Sequence, residues 1–288
     1  MQIKFINAVD DWPAFLKTAN DNLTFAPYTV PFKTLHVEKI FAPFINNNDT
    51  LCVIGADGES RGVAHISIPP GENETAILHL LLGDTNNLAQ ALLAKAENWA
   101  AERKIKKIRS HAMRLNPYRC LMHGTESYCW GGLYTARNAF ARQKWDLELD
   151  IINMRLDIAE PPEVFDPGLE GFNLTEGDFF EDSVSSGGVF RVMLNEMPAA
   201  SCGCTFLKEI SGHLGKGIGQ IWINSPAEFH GTGAARQAIT AAHKKLYETG
   251  ARKIILATNN ALFRAVKFYQ SLGYKHELIH AFTYVKEL

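Results

Sequence analysis

The chain has 288 residues, 46% of them hydrophobic and 21% charged, with a formal net charge of −2. That composition supplies a packed core and excludes a disordered chain, and the length admits one large domain or two ordinary ones. The near-neutral balance offers no field for gathering nucleic acid or an anionic membrane surface, and no apolar run approaches the roughly 18 residues of a membrane span.

The opening "MQIKFINAVDDWPAF" has neither a basic leader nor a long apolar stretch, so no signal peptide is expected. From Leu51, "LCVIGADGESRGVAHISI" reads as strand, short turn and strand, and "TAILHLLL" from Thr75 as a further strand. A helix follows, with Leu88, Leu92, Ala96 and Trp99 on one face. The basic run Glu102–Arg109 alternates with Ile105 and Ile108, which fits the solvated end of that helix and the start of strand "KKIRSHA". An insertion rich in aromatics, Cys and His, "RLNPYRCLMHGTESYCWGGLY", precedes a helix ending in "FARQKW" and a strand, "LDIINMRLDI". Cys120, His123 and Cys129 match no standard zinc spacing, so no metal is expected. The insertion reads as a buttress between the halves or as a wall of an acceptor pocket. Five cysteines, an odd number, fit a reducing compartment better than a disulfide framework.

"AEPPEVFDPGLEGF" then interrupts the pattern with proline, glycine and acid, as a linker does. After it the same order of elements returns. "FRVMLNEMPAASCGCTFL" from Phe190 aligns without a gap on the hairpin from Leu51. Then come strand "GQIWINS", a helix with Ala235, Ile239, Ala242 and Leu246 on one face, strand "RKIILAT", a helix ending in "FYQSLGY", and strand "LIHAFTYVKEL". The expected organisation is a first α/β domain over 1–157, a linker over 158–171 and a second copy over 172–288. Cys202 and Cys204 fall on one side of a strand and should pack there.

Between "GQIWINS" and its helix stands His230-Gly231-Thr232-Gly233-Ala234-Ala235. Taken alone this is either an ordinary glycine turn or a cradle for an anion. The first amides of a helix lack intrahelical acceptors and carry partial positive charge, and Gly231 and Gly233 let a phosphate approach the backbone. Gly250 sits where a helix-terminating left-handed residue belongs.

A second feature, "NNALFRAVKFYQSLGY" from Asn259 to Tyr274, narrows the choice. Together these motifs resemble the GNAT superfamily of acyl-CoA-dependent N-acetyltransferases. The first motif matches Gln/Arg-x-x-Gly-x-Gly/Ala through His230, Gly231, Thr232, Gly233, Ala234 and Ala235. The second matches through Asn260, Ala265, Tyr269 and Leu272-Gly273-Tyr274. Both lie at strand-to-helix junctions in the family's order. The resemblance implies two tandem GNAT-like domains, each a mixed, largely antiparallel sheet flanked by helices. It also implies acetyl-CoA as acyl donor, with its pantetheine arm bonded to the edge Ile221-Trp222-Ile223 where two parallel strands splay. Tyr269 is then the proton donor to the departing thiolate, a phenol with ordinary pKa about 10 against a thiol of roughly 8.5.

Two departures stand out. His230 replaces the loop-head Gln or Arg, and Asn260 lies slightly farther from Tyr269 than is commonest. "GIGQIWINS" contains no carboxylate to act as base; Glu228 and His213 are the nearest groups in sequence, and a water-mediated base is the default. In the first half "LLGDTNNLAQ" stands for the glycine loop, with Asp84 in it, and Phe140 and Lys144 align with Tyr269 and Gly273. That half resembles a degenerate GNAT domain without a cofactor site.

The expectation is a cytoplasmic N-acyltransferase. It would move an acetyl group to a primary amine on a small molecule or peptide, as a monomer or homodimer, with no nucleic-acid or membrane partner. The alternative is a non-catalytic acyl-CoA sensor of the same fold. A donor such as an aminoacyl-tRNA is disfavoured by the acidic net charge.

Overall fold

In the computed structural model, residues 1–6, 12–23, 28–33, 49–110, 129–130 and 134–288 are described. Cys120, His123 and most of the aromatic insertion lie outside them. The chain divides into two compact units, residues 1–151 with 279–288, and residues 152–278. The last ten residues thus group with the first unit, and residues 158–171, expected as a linker, fall in the second.

In the first unit β1 (Gln2–Phe5), β2 (Thr50–Asp57), β3 (Ser60–Ser67) and β4 (Thr75–Gly83) pair antiparallel in turn. Next, β5 (Lys107–Arg109) pairs parallel to β4. Helix α1 (Trp12–Asn22) packs on β2, β3 and β4. Helix α2 (Asn86–Glu102) buries Leu88, Leu92, Ala96 and Trp99, the predicted stripe, together with Leu93. Each fully buried leucine contributes roughly 2 kcal/mol from its removal from water. A two-residue strand, β6 (Cys129–Trp130), precedes helix α3 (Tyr134–Arg142), which packs on α2. Strand β7 (Asp146–Asp157) follows and runs on into the second unit.

The second unit continues with β8 (Phe172–Glu181), β9 (Ser185–Leu194), β10 (Met197–Leu207) and the short helix α4 (Lys208–Leu214). Then come β11 (Ile218–Asn224), helix α5 (Ala234–Glu248), β12 (Lys253–Asn259), helix α6 (Phe263–Ser271) and the start of β13 (Lys275–Glu287), whose residues from 279 on belong to the first unit. Its strands are ordered β7-β12-β11-β10-β9-β8, antiparallel from β8 to β11, with β11 and β12 parallel. Residues 158–171 form neither helix nor strand. One core joins Cys202 and Cys204 of β10, Ile221 of β11, Ile239, Ala242 and Leu246 of α5, and Val266 and Tyr269 of α6. Both cysteines pack as expected. Leu262 is exposed, because it precedes the first turn of α6.

The repeat holds at the level of elements but not in one detail. The ungapped alignment sets Asp57 against Glu196. The hairpin pairings, Asp57 with Ser60 and Leu194 with Met197, set Asp57 against Leu194. A register shift between Pro198 and Ala200 of β10 accounts for a change of offset along the strand.

Candidate functional site

Parallel pairing of β11 with β12 is confined to Ile218–Lys253, Gly219–Ile254 and Gln220–Ile255. Beyond Gln220, β11 keeps its antiparallel partner β10 as far as Asn224, which pairs with Ser201. Residues Ile221, Trp222 and Ile223 therefore have a ladder on one side only among the described residues. Ile221 points into the core, whereas Trp222 is 45% exposed. Trp222 lies across Gly203, its cross-strand partner, so closely that a Cβ there would overlap the indole.

At the end of β11 the chain makes a single 3₁₀ turn, Ala227–Phe229, and enters the glycine loop. Gly231 and Gly233 have φ of 85° and 91°, values that glycine adopts at little cost. Gly233 is the N-cap of α5 and has no side chain to satisfy the helix amides. Thr232 Oγ1 donates to Phe229 O at 2.8 Å and accepts from Ala234 N at 3.3 Å, which ties the loop to itself. The first intrahelical bond runs from Gln237 N to Gly233 O at 3.0 Å. This leaves the amides of Gly231, Gly233, Ala235 and Arg236 without a protein acceptor among the described residues.

The corresponding turn of the first unit carries polar side chains in place of glycines. Thr85, N-cap of α2, accepts from Leu88 N at 3.3 Å. Asp84 Oδ2 accepts from Arg61 N at 2.7 Å. A threonine cap and a carboxylate stand there in place of the glycines of the second unit's loop.

His230 is exposed, and its Nε2 lies 3.1 Å from Ser225 O. A ring nitrogen facing a carbonyl must carry its hydrogen there. Only Nδ1 remains for an anion, and it donates only in the imidazolium form. Asn260 is exposed in the turn after β12. The neighbouring Asn259 shapes that turn, its Oδ1 accepting from Ala261 N at 2.9 Å.

Tyr269 is 7% exposed and shares the core with Ile221, Cys202 and Ala234. Burial, with a smaller contribution from Cys202, pushes its phenol above the ordinary value. Its ring meets Tyr274 edge-on at 5.9 Å between centroids, and Tyr274 Oη lies 2.8 Å from His243 Nε2. Burial lowers the His243 pKa to about 4, so the imidazole is neutral there. His243, bonded to Tyr274, and Cys202, which shares the core with Tyr269, are not part of either motif. The loop-lining Phe165 and Pro167 were equally illegible, since proximity across the fold leaves no local pattern. Arg236 left a faint signal, as a cation in the first turn of a helix with no acid there. Glu228 and His213 are exposed. The described residues contain no group of three or more His, Cys, Asp or Glu able to hold a metal, and no described helix is long and apolar enough to cross a membrane.

Comparison with known structures defines the class as a tandem GNAT fold. A tandem GNAT protein from the clavulanic acid biosynthesis pathway is 12% identical and superposes with a TM-score of 0.68 over 99% of this chain and 98% of its own. A GCN5-related N-acetyltransferase from Sphaerobacter thermophilus is 13% identical, with a TM-score of 0.64 over 99% and 95%. The glucosamine N-acetyltransferase region of a fungal multi-domain GH3 β-N-acetylglucosaminidase is 13% identical, with a TM-score of 0.67 over 98% of this chain and 38% of that one. No curated protein sequence matches. Residues 157–274 match the family described as Acetyltransferase (GNAT) family.

Proposed function

We propose that the second unit binds acyl-CoA, with acetyl-CoA as the simplest donor, and transfers the acyl group to a primary amine. The observation that carries this reading is the open edge of β11 beyond Gln220, running into a glycine loop whose amides lack acceptors, inside a segment that matches the GNAT family. The residues fit the ligand. A loop with no Cβ at Gly231 and Gly233, heading a fifteen-residue helix, suits a pyrophosphate, and the edge Ile221–Ile223 suits an extended amide-bearing arm.

Acyl-CoA would supply an activated thioester. A main-chain amide of the open edge would polarise its carbonyl oxygen, while the uncharged amine attacks the carbonyl carbon and the carbon–sulfur bond breaks. Tyr269 would hold its proton toward the departing sulfur. Because burial raises that phenol, it favours hydrogen-bond donation over full transfer, and water carries the amine's proton away. The first unit has Phe140 in the matching place, stacked on Tyr284 at 4.5 Å, and would serve as scaffold.

A second reading, an acyl-CoA sensor without turnover, is favoured by the raised phenol and by the lack of a carboxylate on β11. Incubation of the intact chain with acetyl-CoA and a panel of primary amines separates the two. The enzyme releases free CoA only in the presence of an amine, and Tyr269→Phe lowers its kcat by about a hundredfold while KM for acetyl-CoA stays within about threefold. Acetyl-CoA binding without amine-dependent release would establish the sensor.

A further inference from the structure

The two halves differ in what is built over the sheet. In the first unit α1 comes between β1 and β2 in the chain and packs on β2, β3 and β4. In the second unit residues 182–184 alone join β8 to β9, with no helix between them. Asp182 Oδ1 holds that turn, accepting from Val184 N at 2.8 Å and Ser185 N at 2.7 Å. One side of β9, β10 and β11 enters the core through Phe190, Cys202 and Ile221. Trp222 alternates with Ile221 and so stands on the other side. Its indole lies against Gly203, where a Cβ would be 2.1 Å from both Cε2 and Nε1. Val189 pairs with Gly203 and continues that row, and Thr205 pairs with Gln220 in the next. The short α4 keeps to the opposite end of β11, where Ser211 Oγ accepts from Ile218 N at 2.8 Å. The three strands carry one charged residue, Arg191, and Asp178 pairs with it. This side of the sheet is therefore neutral, with a 45% exposed indole at its open edge.

We propose that Trp222 selects the acceptor, and that the acceptor is an arylalkylamine, a primary amine bearing a flat apolar ring and no second charge. The inference rests on the acyl-CoA reading above. An arm bonded to β11 as an added strand holds its thioester with the carbonyl plane near the plane of the sheet and the oxygen toward a main-chain amide. An amine attacks such a carbonyl along the normal to that plane, hence from one side of the sheet or the other. On one side Ile221, Cys202 and Tyr269 fill the core. On the other the Trp222 indole borders solvent. The nitrogen arrives from the indole side, and the group it carries lies over the indole. The carbon–nitrogen bond forms as the carbon–sulfur bond breaks, giving an amide and free CoA, while the amine's proton passes to water. A ring on the acceptor stacks on the indole and leaves water. A second ammonium meets no carboxylate on β9, β10 or β11, and an acceptor carboxylate meets only a guanidinium already neutralised by Asp178.

The test measures kcat/KM of the intact chain, at saturating acetyl-CoA, for 2-phenylethylamine, propylamine and 1,4-diaminobutane. The native chain prefers 2-phenylethylamine to propylamine by roughly tenfold and does not prefer the diamine to propylamine. Trp222→Ala cuts the preference for the aryl amine to about twofold or less, through a raised KM for that amine, and Trp222→Phe retains most of it. Equal native values for the aryl and alkyl amines, or a preference for the diamine, would overturn the inference. So would a Trp222→Ala variant that slows both amines alike and keeps their ratio. Calorimetric binding of acetyl-CoA without turnover of 2-phenylethylamine would also overturn it and leave the acyl-CoA reading standing. Absence of acetyl-CoA binding would remove both. Melting temperatures of the variants within about two degrees of native establish that selectivity, not folding, is being read.

Discussion

Tyr269 and His243 show how one buried corner sets two different proton affinities. Burial raises the phenol and lowers the imidazole, in each case because the charged form is the one that loses its water. The Tyr274 hydroxyl, 2.8 Å from His243 Nε2, gives the neutral imidazole its partner. The consequence for stability has a definite sign. The folded-state pKa of His243 is about 4, below the unfolded value near 6.5, so the unfolded chain binds more protons between those limits. The stabilising difference is fully present above about pH 6.5, falls as pH drops toward 4, and amounts to a few kcal/mol. Denaturant melts from pH 7 to 4 should show this loss, and His243→Gln should flatten the slope in that window. An unchanged slope would mean that other groups govern acid unfolding. His243 could not be assigned from sequence, where it reads only as one more position on the buried face of a helix.

The helix ends show what sequence comparison between the two halves could and could not reveal. Four of the described helices, besides α4 with its Gly215, stop in the same way, with a left-handed residue just past the end. It is Gly250 after α5 and Gly273 after α6, but Lys104 after α2 and Lys144 after α3, with φ of 109°, 91°, 60° and 59°. In each case the following amide reaches back to close the last turn: Ala251 N to Leu246 O, Tyr274 N to Tyr269 O, Ile105 N to Ala100 O, and Trp145 N to Phe140 O. Those following residues are all buried apolar or aromatic side chains. The alignment of Lys144 with Gly273 suggested that a motif had been lost. The structure keeps its backbone and loses only the residue that adopts it without strain. Left-handed geometry costs a lysine about 1 kcal/mol more than a glycine. Lys104→Gly and Lys144→Gly should therefore each raise the stability of the protein by about 0.5–1 kcal/mol, and Gly273→Ala should lower it by about 1 kcal/mol, in urea unfolding. A destabilised Lys144→Gly variant would show that the lysine's own contacts outweigh its backbone strain.

At the scale of the whole chain, the order of elements and the doubling were legible because periodicity and glycine placement are local properties. The division into units was not. Pairing of Val285, Lys286 and Glu287 with Arg109, Ile108 and Lys107 depends on residues more than 170 positions apart, and no local pattern marks it. The same pairing makes the intact chain the proper material for any binding experiment, since residues 279–288 belong to the first unit. The central claim, a single acyl-CoA site built from the open edge of β11 and the glycine loop, is best tested by titrating acetyl-CoA into the full chain and into Gly233→Glu. One site per chain, abolished in the variant, is the predicted result, because the side chain would meet Pro167 and Phe165 at a residue with φ of 91° and bring a carboxylate to the anion loop. Two sites per chain would contradict the account of the first unit, and a single site that survives in Gly233→Glu would contradict the site itself.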